Sequence, residues 1–274
     1  GSCTDLIYYM KTTMTRCVEL STGTPLLELH KIIREYIKRY CELLKQRFPP
    51  DTKSPLTEAD VRTICLIINT ADFCRSRAEQ FERSFRKCTD GNPDAITFQP
   101  EIGFIKKAVI NAGVKLLTKL LMLQCQPALS SMRHTSWAAA LDTDGVSPYV
   151  AEHVPVIRKW LSAGVPGASS SGSSKFYELF CDSFVTSFAA AHLDALYTCR
   201  KVPSDGVRVL MTNFSFLKNI LLLRPTQGAA SPSGDDALDA ATAAAAGASP
   251  LAARKTQKAA TRWSMFVSNA LKKS

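Results

Sequence analysis

The stretch "LSTGTPLLELHKIIREYIKRY", residues 20–40, decides the fold of this chain. After Pro25 its apolar side chains recur at alternating steps of three and four, which is typical of an amphipathic helix with one buried face. The face predicted to be buried comprises Leu26, Leu29, Ile33, Tyr36, Tyr40 and Leu43, widened by Ile32, Ile37 and Leu44.

The segment ahead of this helix, residues 21–24, resembles a phosphate-binding loop but is better explained as a corner. Thr24 suits the N-cap, and Pro25 suits the first helical position because its missing N–H has no partner there. Gly23 is placed to end the preceding helix. No predicted strand precedes the loop, and no lysine follows the glycine at phosphate-loop spacing. The sequence therefore predicts two helices joined by a corner.

The helical period continues along most of the chain. Thr57 and Asp60 have the spacing of a capping box, and a helix is predicted from there to about Lys87. Another is predicted from Pro100; Pro127 interrupts it, and Pro127 to Trp137 is predicted to continue it briefly at a new angle. The residues predicted to be buried on these two helices are Val61, Ile64, Ile68, Ala71, Ala78, Phe81 and Phe85, then Ile105, Ala108, Ala112, Leu116, Leu120 and Leu123.

Later helices carry an aromatic core face, since four phenylalanines follow at intervals of four: Phe176, Phe180, Phe184 and Phe188. No segment alternates with period two, so the fold class is all-α. Helices of this length with short connections predict elongated antiparallel helical bundles stacked end to end. We expect two, residues 1–125 and 126–274, the second with flexible linkers near 164–174 and 227–250, where small residues predominate.

The ends of the chain suggest a piece of a longer protein. Gly1 and Ser2 resemble the remnant of an expression tag. The residues that follow, and those at the other end, lie within helical patterns. We therefore expect a fragment whose parent protein extends further.

The composition is ordinary for a globular protein, with 46% hydrophobic and 21% charged residues among 274. No apolar run approaches the ~20 residues that span a bilayer, so no membrane-spanning helix is predicted. The nine cysteines are irregularly spaced without a C-x-x-C pair, and the four histidines stand far from any cysteine pair. This pattern favours free thiols in a reducing cytosol over disulfides or a metal site.

The sequence contains no complete catalytic motif. Residues 167–172 reproduce the glycine spacing of a phosphate loop, but Ser173 and Ser174 stand where the lysine and its hydroxyl neighbour should follow. H-E-x-x-H and G-x-S-x-G are both absent. We predict that the protein is not an enzyme, and we nominate no catalytic, cofactor-binding or metal-binding residue and no cofactor.

The formal net charge of +10 points to an anionic partner or to a solvated basic surface. The aromatic residues fall on the apolar stripes and leave no stacking platform, so nucleic acid is not expected. A basic all-α module binding nucleic acid or another polyanion remains the alternative. The candidate interaction surface comprises Lys31, Arg34, Lys38 and Lys45, with Lys258, Arg262 and Lys272 on a terminal basic helix that also carries Trp263 and Phe266.

Five stretches of the chain resemble a known family in the same order. They are "LSTGTPLLELHKIIREYIKRY", "ICLIINTADFCRSRAEQFE", "QPALSSM" followed by Trp137, "SPYV" with "VPVIR", and "KFYELFCDSFVTSFAAAHLDALYTCRKV". Together they resemble the C-terminal half of the vacuolar protein sorting-associated protein 53 family. The likeness covers most of residues 3–224 and resumes over the last helix, while the connection around His153 is about two helical turns shorter than in the family.

The resemblance implies a fold, a process and a location. The family supplies subunits of the Golgi-associated retrograde protein complex and its endosomal recycling relative, which tether vesicles and are built of helical rods. It implies a non-catalytic subunit without cofactor, peripheral on the cytosolic face of the trans-Golgi network and endosomes. Sister subunits would bind mainly through N-terminal coiled-coil parts, and SNAREs, small GTPases or anionic membrane would contact the C-terminal arm. The family offers no compact residue motif to carry over as a binding site.

Overall fold

The computed structural model describes residues 1–50, 57–135, 137, 146–161, 174–199, 202 and 204–222. Every regular element in these ranges is helical and none is a strand, which confirms the all-α class. The helices are α1 (Ser2–Leu20), α2 (Thr24–Gln46), α3 (Glu58–Cys88), α4 (Gln99–Phe104), α5 (Asn111–His134), α6 (Pro148–Leu161), α7 (Ser174–Tyr197) and α8 (Ser204–Leu222). A short 3₁₀ turn, Pro93–Ala95, precedes α4, and a π-helical turn, Ile105–Ile110, joins α4 to α5.

The helices belong to two compact units. The first is formed by Gly1–Leu117 with the described residues of Gly167–Phe176, and the second by the described residues of Thr118–Pro166 and Tyr177–Ser274. The division into bundles of residues 1–125 and 126–274, and their end-to-end stacking, stay predictions. The linker predicted near 227–250 lies outside the described residues, as does nearly all of the one near 164–174.

In the first unit, α1, α2 and α3 run up, down and up. The start of α1 meets the end of α2, where the Ser2 and Tyr40 hydroxyls are 3.1 Å apart. The start of α2 meets the end of α3, where the rings of His30 and Phe85 are 5.6 Å apart. The α4–π–α5 run returns along α3, so that a Cβ on Gly113 would lie 2.6 Å from Ile68 Cγ1.

The buried face of α2 is rotated relative to the prediction. It comprises Leu26, His30, Ile33, Ile37, Cys41 and Leu44. Ile32, Tyr36 and Leu43 were predicted to be buried but are 49%, 57% and 52% exposed. The pattern of apolar residues misplaced the face because it left out His30, a polar residue that is buried.

The ends of α2 and α3 follow from local chemistry. The capping box predicted at Thr57 is confirmed, since its hydroxyl accepts from the backbone N–H of Asp60 and that carboxylate accepts from the N–H of Thr57. All seven residues predicted to be buried on α3 are buried. The N-cap of α2 is Gly23, one residue earlier than predicted, with Pro25 in the first turn.

The π-helical turn shifts the buried face of α5. A π turn contains about one residue more than an α turn, so positions beyond it move to the next residue. Leu123, predicted to be buried, is exposed. Three others predicted to be buried are half-buried instead: Ala108, Ala112 and Leu116. The residue after each of these three is buried: Val109, Gly113 and Leu117.

In the second unit, helices pack around Phe180, Phe184 and Phe188 of α7, and these three residues of the predicted aromatic face are buried, as is Phe176 of the first unit. Trp160 Nε1 donates to Gln124 Oε1 at 2.9 Å and joins α6 to α5. Helix α5 continues through Pro127 to His134, and the change of helix direction predicted at Pro127 stays a prediction. A proline inside a helix removes one backbone hydrogen bond, and here the flanking turns remain helical.

The apolar content of one described run corrects an expectation from the sequence. By length and composition alone, Pro93–His134 could cross a membrane. Half of its most apolar window is buried inside the protein. Core packing therefore accounts for that part of its hydrophobicity.

Candidate interaction surfaces

Three of the nominated cations form one exposed line on α2. Lys31, Lys38 and Lys45 are spaced seven residues apart, which places them on the same side of the helix. Lys31 Nζ lies 2.7 Å from a carboxylate oxygen of Glu28, and both side chains are well exposed. Tyr36 is also exposed, so the prediction that the aromatics lie only on buried stripes is wrong there. Binding of a partner along this line stays a prediction.

Arg34, the fourth cation nominated on α2, lies in an ion pair within the first unit. Its Nε and one terminal nitrogen donate to the two carboxylate oxygens of Glu101 at 3.0 and 2.9 Å. Glu101 is only 7% exposed. This bidentate ion pair connects α2 to α4. The positive charge of Arg34 therefore balances the buried carboxylate of Glu101.

The other nominated cations, Lys258, Arg262 and Lys272, lie outside the described residues, as do Trp263 and Phe266. Their role stays a prediction.

The acidic residues in the middle of α3 bind cations of the same helix. Arg75 contacts Asp72 at 2.8 Å and Glu79 at 2.5 Å. Arg86 contacts Glu82 at 3.3 Å. These acids are therefore engaged, and the remaining cations of that stretch keep their charge unbalanced.

A groove between α1 and α3 collects those remaining cations. Its rim holds four of them, Lys11 of α1 and Arg77, Arg83 and Lys87 of α3, and it encloses about 320 Å³. None of the four forms an ion pair within the described structure. No Asp or Glu among the described residues lines the groove. We call it the α1–α3 groove.

The floor of the α1–α3 groove is apolar. Ile7, Met14 and Phe81 line it and are mostly buried. On the rim, Arg77 is held by its own helix, since it donates to Gln80 Oε1 at 2.6 Å and lies 4.8 Å from the ring centre of Phe73. The cations of α3 can be seen in the sequence, but the groove cannot, because nothing in the periodicity says that Lys11 of α1 faces them.

The segment of residues 21–24, between α1 and the first turn of α2, is a structural corner. Thr22 Oγ1 donates to the Asp90 carboxylate, and the backbone N–H of Asp90 donates to the carbonyl of Thr22 at 3.4 Å. The polar groups of the α1–α2 loop thus bind the loop after α3. This arrangement favours a structural role over a phosphate site.

The buried thiols lack the properties of nucleophiles. Cys3 and Cys74 have their sulfur atoms 3.1 Å apart, and the hydrogen bond between them, together with burial, raises the pKa of Cys3 far above its ordinary value. Burial raises the pKa of Cys65 and of Cys125 to about 12. A thiol attacks as thiolate, so these groups are unreactive near neutral pH.

Two buried histidines of the second unit are uncharged at neutral pH. Burial lowers the pKa of His153 to about 4, and burial with the neighbouring His153 lowers the pKa of His192 to about 3. Their ring centres are 6.1 Å apart, and neither ring has a hydrogen-bond partner in the described structure. Within the same ranges, no three His, Cys, Asp or Glu side chains come together as a metal site.

Fold and surfaces together define an all-α helical-bundle protein whose notable sites are charged surfaces. The chain is similar to vacuolar protein sorting-associated protein 53 A of Arabidopsis thaliana, with 21% identity over 238 residues, which are 82% of this chain and 28% of that protein. It is also similar to the Caenorhabditis elegans vacuolar protein sorting-associated protein 53 homolog, with 25% identity over 170 residues, 60% of this chain and 20% of that protein.

The resemblance predicted from the sequence is confirmed, because the chain is similar over most of its length to these two vacuolar protein sorting-associated protein 53 proteins. It spans about a quarter of the length of these curated relatives. No family model matches the chain, and no solved structure matches it.

Proposed function

We propose that the chain is part of a non-catalytic subunit of a multisubunit vesicle-tethering complex that acts in transport from endosomes to the trans-Golgi network. The observation that carries this proposal is the similarity over 82% of the chain to a protein named for vacuolar protein sorting. The all-α fold is the one expected of tethering subunits built of helical rods.

In this proposal the chain works by presenting surfaces. Its first unit exposes cations on α2 and in the α1–α3 groove, and binding energy comes from partners that cover them. Sister subunits of the complex bind mainly through parts of the relatives outside the matched region. SNAREs, small GTPases or anionic membrane then contact this arm on the cytosolic face of the trans-Golgi network and endosomes.

Affinity capture of the full-length protein from its own cells tests the proposal. Sister tethering subunits should be recovered in amounts comparable to the tagged protein. Their absence from capture under mild detergent would contradict membership in such a complex.

The polyanion-binding alternative has support from the exposed Tyr8, Tyr9 and Tyr36, whose rings are available for stacking. A salt titration separates it from the tethering role. Tight binding of duplex DNA or RNA with a steep salt dependence, and no binding to anionic liposomes, favours the alternative. Weak, salt-sensitive binding without preference for nucleic acid favours the tethering role.

A further inference from the structure

We propose that the α1–α3 groove binds an acidic, amphipathic segment of a partner protein. Carboxylates of that segment pair with the four cations of the rim, and its apolar side chains contact the groove floor. The inference names the kind of partner for one surface of this chain, and it rests on the groove itself whichever complex the chain joins.

The charge of the rim is unbalanced, and this is the first support. The nearby acids of α3, Asp72, Glu79 and Glu82, bind cations outside the rim. The acids of α1, Asp5 and Glu19, do not line the groove. A ligand with several negative charges therefore meets attraction along the whole rim without competing acids.

The layout of the cations favours a peptide over a compact anion. Arg77 and Lys87 are ten residues apart on α3, which corresponds to about 15 Å along the helix. A single phosphate or a lipid headgroup requires cations that converge on one point. Carboxylates repeated along two or three turns of a peptide match a line of cations, and arginine binds each carboxylate through two parallel hydrogen bonds.

The floor selects an amphipathic ligand. Ile7 and Met14 line the floor beside Lys11 and expose only 9% and 7% of their surfaces, a small apolar area where an inorganic anion has nothing to place. Phe81 is 6% exposed, so its ring is closed to stacking by a nucleic-acid base. A helix with glutamates on one side and leucines beside them satisfies rim and floor at once.

Fluorescence anisotropy with the full 274-residue chain tests the proposal. The probe is a labelled helical peptide with glutamates at i, i+4 and i+7 and leucines on the adjoining face. Matched peptides replace glutamate by glutamine or leucine by serine. The groove variant is Arg83→Glu with Lys87→Glu, and its milder form is Arg83→Gln with Lys87→Gln.

The matched control is Lys107→Glu with Lys115→Glu, which makes the same charge change on exposed side chains of the π-helical turn and α5 that do not line the groove. All four substituted residues are exposed, and far-UV circular dichroism checks that each variant is folded. If the double glutamate variant of the groove is unfolded, peptide affinity is compared between the parent chain and the double glutamine variant.

We expect the acidic peptide to bind and the groove variant to weaken it by at least about tenfold, with a smaller loss for the glutamine pair and about none for the control. Both matched peptides should bind more weakly, and salt should reduce the affinity. The proposal is overturned if the peptide does not bind, if the control variant loses as much affinity as the groove variant, or if only anionic vesicles or duplex DNA bind. Because this test uses purified components, it can fail while affinity capture still recovers sister subunits.

Discussion

At the scale of single residues, burial decides how a cation of α2 contributes. Lys31 and Arg34 lie on one helix, three residues apart, and each has a carboxylate partner. The pair of Lys31 with Glu28 has both side chains more than half exposed, so water and salt screen it. The partner of Arg34, Glu101, has an 8% exposed side chain and would remain buried without its counter-charge.

Replacement of these two cations by alanine should therefore have unequal effects. Arg34→Ala is expected to lower the free energy of unfolding by about 2 kcal/mol, discounted for the partial exposure of the guanidinium. Lys31→Ala should lower it by less than about 0.5 kcal/mol. Urea denaturation measures both, and equal effects would show that the Glu101 contact does not hold α2 to α4.

The buried histidines give the second unit a pH dependence with a definite sign. The folded pKa values, about 4 for His153 and about 3 for His192, lie below the ordinary value of 6.5. The unfolded chain therefore binds more protons below about pH 6.5, and stability falls as the pH falls from there toward the folded values. At pH 5 the loss is at most about 2 kcal/mol for each ring.

Replacing His192 by phenylalanine should reduce this pH dependence by about half, whatever it does to absolute stability. The comparison is the change in unfolding free energy between pH 7 and pH 5 for the variant and the parent chain. Met211→Leu, at an exposed position of α8 without a titrating group, is the control and should leave the change unaltered. An unaltered pH dependence in His192→Phe would show that this ring is protonated alike in both states.

At the scale of elements, the π turn and Gly113 determine how α5 packs. Gly113 lies where α5 approaches α3, and a Cβ there would meet Ile68 Cγ1 at 2.6 Å and Phe48 Cε1 at 3.2 Å. A Cβ on Gly103 of α4 would have no described atom within 4 Å apart from its own helix backbone and chain neighbours, so a methyl group there enters open space. Alanine at Gly113 therefore changes both packing and helix propensity, whereas alanine at Gly103 changes helix propensity alone.

Gly113→Ala is expected to destabilise the first unit by about 1 kcal/mol, because overpacking costs more than the helix gains. Gly103→Ala should stabilise it by about 0.5 kcal/mol through helix propensity alone. Thermal unfolding of the two variants measures the difference. A stabilised Gly113→Ala would mean that α5 stands further from α3 than described.

The start of α3 was predictable because its cap depends on nearby residues, whereas the buried faces depended on the whole bundle. The capping box at Thr57 is a contact across three residues, and the sequence shows it directly. The buried face of α2 includes His30, whose ring packs against Phe85 and Phe98 and whose Nε2 lies 3.2 Å from the Thr97 carbonyl. Those partners come from other elements, so periodicity alone could not place it.

At the scale of the whole molecule, the charged surfaces are the features that the resemblance leaves open. The family likeness was readable from five stretches of sequence that resemble the family in the same order. The α1–α3 groove was not, since it depends on which cations of α3 lack acids and on the packing of α1 beside them. The α1–α3 groove is therefore identified from the structure and not from the sequence.

The central claim is that this chain is a surface-presenting arm of a tethering subunit. The most direct measurement compares cells expressing the full-length protein with cells expressing it without residues 3–222 of this chain. We predict that sister subunits are captured equally in both, while return of a recycling receptor from endosomes to the trans-Golgi network is slowed in the deletion. Normal return of the receptor, or loss of the sister subunits from the capture, would contradict the claim.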